Sequence, residues 1–146
     1  MAQYASRLQA PWRTPLCAYC NAYISFSEGQ YAQAKKQLLE IEYFDAAYKI
    51  SQQLLLLRIY FEENDWQGLE STRAALKIYL YRNKKLPVST RSAANNFARF
   101  AVRIFHLKGL QASEKSALKI IEKMKSCTHL RDRIWLMAKA EALITQ

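Results

Sequence analysis

SEGQYAQAKKQLLEI, residues 27–41, and EENDWQGLESTRAAL, residues 62–76, share one layout. Each holds a helix end, a Gly or Asn, a polar residue, an aromatic, and a small or apolar residue three positions further on. Gly29-Gln30-Tyr31 and Asn64-Asp65-Trp66 stand 35 residues apart. Glycine and asparagine accept the left-handed backbone conformation that closes a helix, so both stretches read as the turn between two helices. A third, weaker copy begins at Gly109 (GLQASEKSALKII), delayed by a linker and a longer preceding helix. Such a period marks stacked hairpins, none of which can bury its apolar face alone.

Outward from these turns the chain divides into about seven helices. Thr14-Pro15 is a start signal, a hydroxyl N-cap followed by proline at the first helical position. That helix runs to Glu28 and stops at Gly29. A second covers about 30–43, and Asp45 caps a third running to about Glu63. Asn64 and Asp65 repeat the stop and cap, and a fourth helix runs from Trp66 to about Asn83. In the linker KKLPVST, Pro87 breaks the helix and Ser89 or Thr90 caps the next. The fifth helix ends at Gly109, the sixth covers about 113–125, and Thr128 caps a last one reaching Ile144.

The third helix has apolar residues on more than one face (Ile50, Leu54 to Leu57, Ile59, Tyr60), as expected of a helix sandwiched between neighbours. The last helix sets Ile134, Met137, Ala138 and Glu141 along one side and reads as a lid on the array. The expectation is a single all-α domain over residues 1–146. Antiparallel hairpins at about 15–43, 45–83 and 90–125 stack as an α-α superhelix, closed by a capping helix at about 129–144.

Composition agrees. Half of the 146 residues are apolar while Gly and Pro total six, which argues against disorder and against an all-β fold. The net charge of +10 is unevenly spread. Residues 1–64 carry six basic and six acidic side chains, whereas Ser71 to Ser113 holds nine basic residues and no carboxylate. That asymmetry suits an acidic or polyanionic partner, and a solvated basic surface would give the same composition. The odd count of three cysteines is no disulfide framework, the opening MAQYASRLQAPWR is no secretory signal, and no apolar run could cross a bilayer. The chain therefore reads as cytoplasmic, with no membrane involvement.

The Gly29, Gln30, Tyr31 and Ala34 pattern resembles the tetratricopeptide repeat, a helix-turn-helix of about 34 residues. In that family the alanine lets two helices approach closely, and Ala22 sits where the first helix also takes a small residue. The second copy departs at Leu69 and Arg73, and the third further, with Glu114 at the alanine position. The resemblance covers about residues 15–126, and an α-α stack without the strict signature is the alternative. Residues 1–9 read as the tail of an earlier helix, as in the C-terminal part of a larger repeat protein.

No residue pattern marks a catalytic site, so the expectation is no enzyme and no cofactor. Cys17 and Cys20 form a C-x2-C with Cys127 and His129 far along the chain, but the pair lies inside a helix, unlike the tight knuckles zinc uses, and no metal is expected. Glu62-Glu63-Asn64-Asp65 lacks the alternation of a calcium loop, and there is neither a P-loop nor a dinucleotide fingerprint.

The fifth helix is more informative. Arg91, Asn95, Arg99 and Arg103 form one slowly drifting stripe, with Phe97, Phe100, Ala101, Ile104 and Phe105 expected opposite. The resemblance implies that the first helix of each pair lines a peptide groove. By register it directs Tyr19 and Tyr23, then Arg58, then Asn96, Arg99 and Arg103 toward that groove. The expected function is a non-catalytic scaffold binding a protein or peptide, biased toward acidic or carboxylate-bearing partners. The alternative is RNA or DNA bound through the basic second half, where Tyr79, Tyr81, Arg82, Lys84 and Lys85 interleave rings with charge.

Overall fold

The computed structural model describes residues 13–40, 42, 45–111 and 113–145. Among the described residues there are seven helices and no strand: α1 (Arg13–Ser27), α2 (Tyr31–Leu39), α3 (Ala46–Glu62), α4 (Trp66–Arg82), α5 (Val88–Gly109), α6 (Glu114–Ser126) and α7 (Arg133–Ala142). The all-α expectation and the helix number hold. The reading of residues 1–9 as an earlier helix lies outside the described residues.

The chain divides into two compact units, Met1–Asp65 and Trp66–Gln146. In the first, α1 and α2 pair along their length and α3 packs against both. In the second, α5 packs against α4, α6 and α7, and α6 also meets α7. The span 15–43 contains most of α1 and all of α2 and the span 90–125 contains most of α5 and α6, while the span 45–83 crosses the division.

The two turns that organise the sequence are built alike. Gly29 has φ +79°, its N–H donates to the Phe26 carbonyl at 3.0 Å, and the Gln30 N–H donates to the Ser25 carbonyl at 2.8 Å. Asn64 has φ +56°, with its N–H donating to Phe61 at 3.1 Å and the Asp65 N–H to Tyr60 at 2.9 Å. Both are the paired closure in which one left-handed residue satisfies two orphan carbonyls. In the third turn the left-handed residue is Gln111 (φ +49°), two residues beyond Gly109, which is still helical. Ser113 then caps α6, its Oγ accepting from the Ser116 N–H at 3.3 Å. Glu114 is only the first, exposed residue of α6, and the buried small residue one turn in is Ala117.

Several expected helix ends move. Arg13 is already helical, so Thr14 is not the cap of α1. Helix α2 stops at Leu39, not near 43; the Leu38 carbonyl accepts instead from Nε2 of the buried Gln52 at 2.8 Å. Gln30 makes no capping hydrogen bond. Asp45 does cap α3, its Oδ1 accepting from the Tyr48 N–H at 2.7 Å. Helix α5 begins directly after Pro87, whose carbonyl accepts from the Arg91 N–H at 3.1 Å, so Ser89 and Thr90 lie inside it. Helix α7 starts at Arg133, because the segment before it is tied elsewhere: the Arg131 N–H donates to the Ala93 carbonyl at 3.3 Å. The Arg133 guanidinium donates to the Met124 and Cys127 carbonyls, closing the end of α6. Along α7, Leu136 and Ala140 are buried and Ile134 is exposed, so the inward face is not the one expected.

Each unit has a close-packed core. Ala22 of α1 and Ala34 of α2 are fully buried among Phe26, Leu38, Leu55, Leu56 and Ile59. Two alanines let α1 and α2 approach closely, and a larger side chain at either would have to displace its neighbours. Helix α3 is buried nearly throughout Gln52 to Phe61, as its apolar pattern implied. In the second unit α5 is central, burying Ala94, Phe97, Ala98, Ala101 and Ile104, with Phe97 5.8 Å from the Trp135 ring.

Candidate functional site

The expected site residues fall three in each unit. In the first, Tyr19 and Tyr23 lie one turn apart on α1 and line a shallow cavity of about 430 Å³ with Cys20 and Ile24. Tyr19 meets the Tyr48 ring edge-on at 6.3 Å, and burial, then the neighbouring Tyr19, pushes the Tyr48 hydroxyl above its ordinary pKa. The Arg58 guanidinium lies 4.9 Å from the Phe26 ring and 5.7 Å from the Tyr23 ring. Arg58 is thus half-buried over aromatic faces, where cation–π attraction orients it.

In the second unit the structure separates Asn96 from the two arginines. The Asn96 amide donates to the His129 carbonyl at 2.9 Å and to Cys127 Sγ at 3.4 Å, which ties α5 to the segment ahead of α7. Arg99 and Arg103 instead line a cleft of about 520 Å³ whose floor is α5, with Arg73 entering from α4 and Lys123 from α6. Phe100 belongs to this cleft, contrary to its expected place on the opposite side. It is one turn from Arg103 and so shares its face.

The other half of the stripe lines a second cleft of about 510 Å³, where Arg91 and Asn95 of α5 meet Lys77, Tyr81 and Arg82 of α4. Two stripes therefore face each other, Arg73, Lys77 and Tyr81 on α4 against Arg91, Asn95, Arg99 and Arg103 on α5. The α4 stripe escaped the sequence reading. The i, i+4 spacing of Arg73, Lys77 and Tyr81 inside the carboxylate-free segment was its signal.

Charge in the clefts is largely uncompensated. Arg73 pairs with Glu70 through two hydrogen bonds, one of 2.9 Å, and this pairing holds the Glu70 carboxyl below the usual carboxylate range. Arg99, Arg103 and Lys123 in one cleft, and Lys77, Arg82 and Arg91 in the other, have no carboxylate partner among the described residues. Each cleft also has an apolar wall, Phe100, Val102 and Leu107 in the first and Ile78, Leu80 and Tyr81 in the second. Trp66 lies tilted against the ring of the cleft-lining His106 at 4.5 Å and stacks on Phe105 at 5.7 Å. Such surfaces can hold anionic groups next to apolar ones.

Cys17 and Cys20 lie on α1, and Cys127 belongs to the second unit. Among the described residues no three His, Cys, Asp or Glu side chains come together as a metal site, and no helix is long and apolar enough to cross a membrane. No protein-family model, curated protein or solved structure matches this chain. Fold and site together define an all-α protein with two basic clefts on its second unit.

Proposed function

We propose that this chain is a non-catalytic, cytoplasmic binding module, a tetratricopeptide-like stack of helical hairpins, that takes an acidic segment of a protein partner on its second unit. The observation that carries this reading is the set of six uncompensated cations lining two clefts with apolar walls. A guanidinium offers a carboxylate a planar fork, and charge-assisted hydrogen bonds are the stronger ones. Apolar walls beside the cations suit peptide side chains interspersed among acidic residues. Of the six residues expected at the site, Arg99 and Arg103 are those we assign to direct contact.

A specific observation keeps nucleic acid as the second reading. Tyr81 is 70% exposed, and Lys84 Nζ lies 5.0 Å from its ring centroid. An exposed ring beside phosphate-neutralising charge is what a single strand stacks on.

The double change Arg99→Ala and Arg103→Ala separates the two. Each lost charge-assisted hydrogen bond is worth about 1.5–3 kcal/mol, so affinity for an acidic peptide should fall at least about tenfold. Both side chains are exposed, so the melting temperature should stay unchanged. Oligonucleotide affinity should fall only modestly, because phosphate contacts would spread over many Lys and Arg. Unaltered peptide affinity would sink the reading.

A further inference from the structure

This inference rests on the acidic-peptide reading and deepens it. We infer that the two clefts are occupied together by one extended acidic segment, and that they select acidic positions four residues apart.

Helix α5 supplies both clefts from one slowly drifting stripe, Arg91 and Asn95 to one, Arg99 and Arg103 to the other. The midpoints of these pairs are eight residues apart in the chain. On an α-helix that is about 12 Å of axial rise. An extended peptide advances about 3.3 Å per residue, so about 12 Å corresponds to roughly three or four residues. Side chains of an extended chain alternate sides. Two acidic side chains at i and i+3 would point away from each other, whereas those at i and i+4 point toward α5 together. The spacing i, i+4 is therefore selected by side as well as by distance.

Charge supports two discrete points. Each cleft brings three uncompensated cations to its own apolar wall, and Asn95 is the uncharged member of the stripe between Arg91 and Arg99. A nucleic-acid strand carries charge at every backbone unit and would be insensitive to such spacing. A peptide can match it. Joining two weak points on one segment makes the second contact intramolecular, which raises affinity without any new contact.

The test is fluorescence anisotropy on the full chain, with Gly/Ser peptides carrying two single glutamates at i, i+3, at i, i+4 or at i, i+5, and a one-glutamate peptide as reference. The i, i+4 peptide should bind at least about tenfold more tightly than the others. Lys77→Ala with Arg91→Ala should reduce it to one-glutamate affinity, and so should Arg99→Ala with Arg103→Ala. Binding at equal affinity for every spacing overturns the two-point inference while the acidic-peptide reading stands. No peptide binding, or tighter binding of an oligonucleotide of equal charge with a steep loss of affinity in salt, overturns the underlying reading itself. The spacing series needs only the wild-type chain, so it decides the matter even where a variant fails to fold.

Discussion

The two units of this chain use charge in opposite ways. The first, Met1–Asp65, carries six basic and seven acidic residues; the second, Trp66–Gln146, carries sixteen against five. In the first, two of the described cations are engaged in local structure. Lys35 Nζ sits 2.8 Å from Glu63 and 5.2 Å from the Tyr60 ring centroid, and Arg58 lies over Phe26 and Tyr23. In the second, Glu70 takes Arg73 and six further cations are left lining clefts. Holding like charges together without counter-charge costs stability, so a surface of this kind makes physical sense when an anionic partner supplies the missing charge. The lesson is that total charge says less than whether each cation already has a local partner.

The comparison breaks first at packing. Ala34→Leu, at a fully buried position in the α1–α2 contact, should cost about 1–3 kcal/mol through overpacking. A thermal melt unchanged by it would mean that the first unit is not packed as described. Acidic-peptide affinity of the folded protein should be unaffected by this change, since the clefts belong to the second unit.

A smaller effect compares the two matched turns. Gly29→Ala meets no atom within 4 Å of the new Cβ, so its cost is the left-handed backbone alone, about 1–2 kcal/mol. Asn64→Gly at φ +56° should be neutral or slightly stabilising, because glycine adopts that conformation without a Cβ penalty. Equal melting-temperature losses in both variants would contradict the shared closure.

The smallest effect sharpens the electrostatic side. Glu70 has its folded pKa lowered, chiefly by the hydrogen bond from Arg73, relative to an ordinary value of 4.5. Its contribution to stability is therefore fully present above that ordinary value and is lost as pH falls through the lower folded one. At neutral pH, Glu70→Gln frees Arg73 for the cleft and should raise acidic-peptide affinity by about two- to fivefold. An affinity that falls instead would show that Glu70 holds Arg73 in its binding position.

Much of the fold was legible because its turns are marked by backbone chemistry. Gly29, Asn64 and Asp45 act locally, and each does in the structure what its residue type implies. Ends set by distant partners were not legible. Gln52 reaching the Leu38 carbonyl and Arg133 reaching Met124 and Cys127 are tertiary contacts with no local pattern. The site shows the same split. Periodicity placed Arg99 and Arg103 on one face, whereas the commitment of Asn96 to His129 and the facing stripe on α4 depend on how helices pack.

The central claim is that the second unit, through α4 and α5, is the binding surface. An amide-resolved NMR titration of the full chain with the i, i+4 acidic peptide tests it most directly. Shifts concentrated on Arg73, Lys77, Tyr81, Arg91, Asn95, Arg99 and Arg103, with the α1 residues Tyr19 and Tyr23 unmoved, are the expected result. Shifts centred on α1 and Arg58, or no saturable shift on α5, would contradict it.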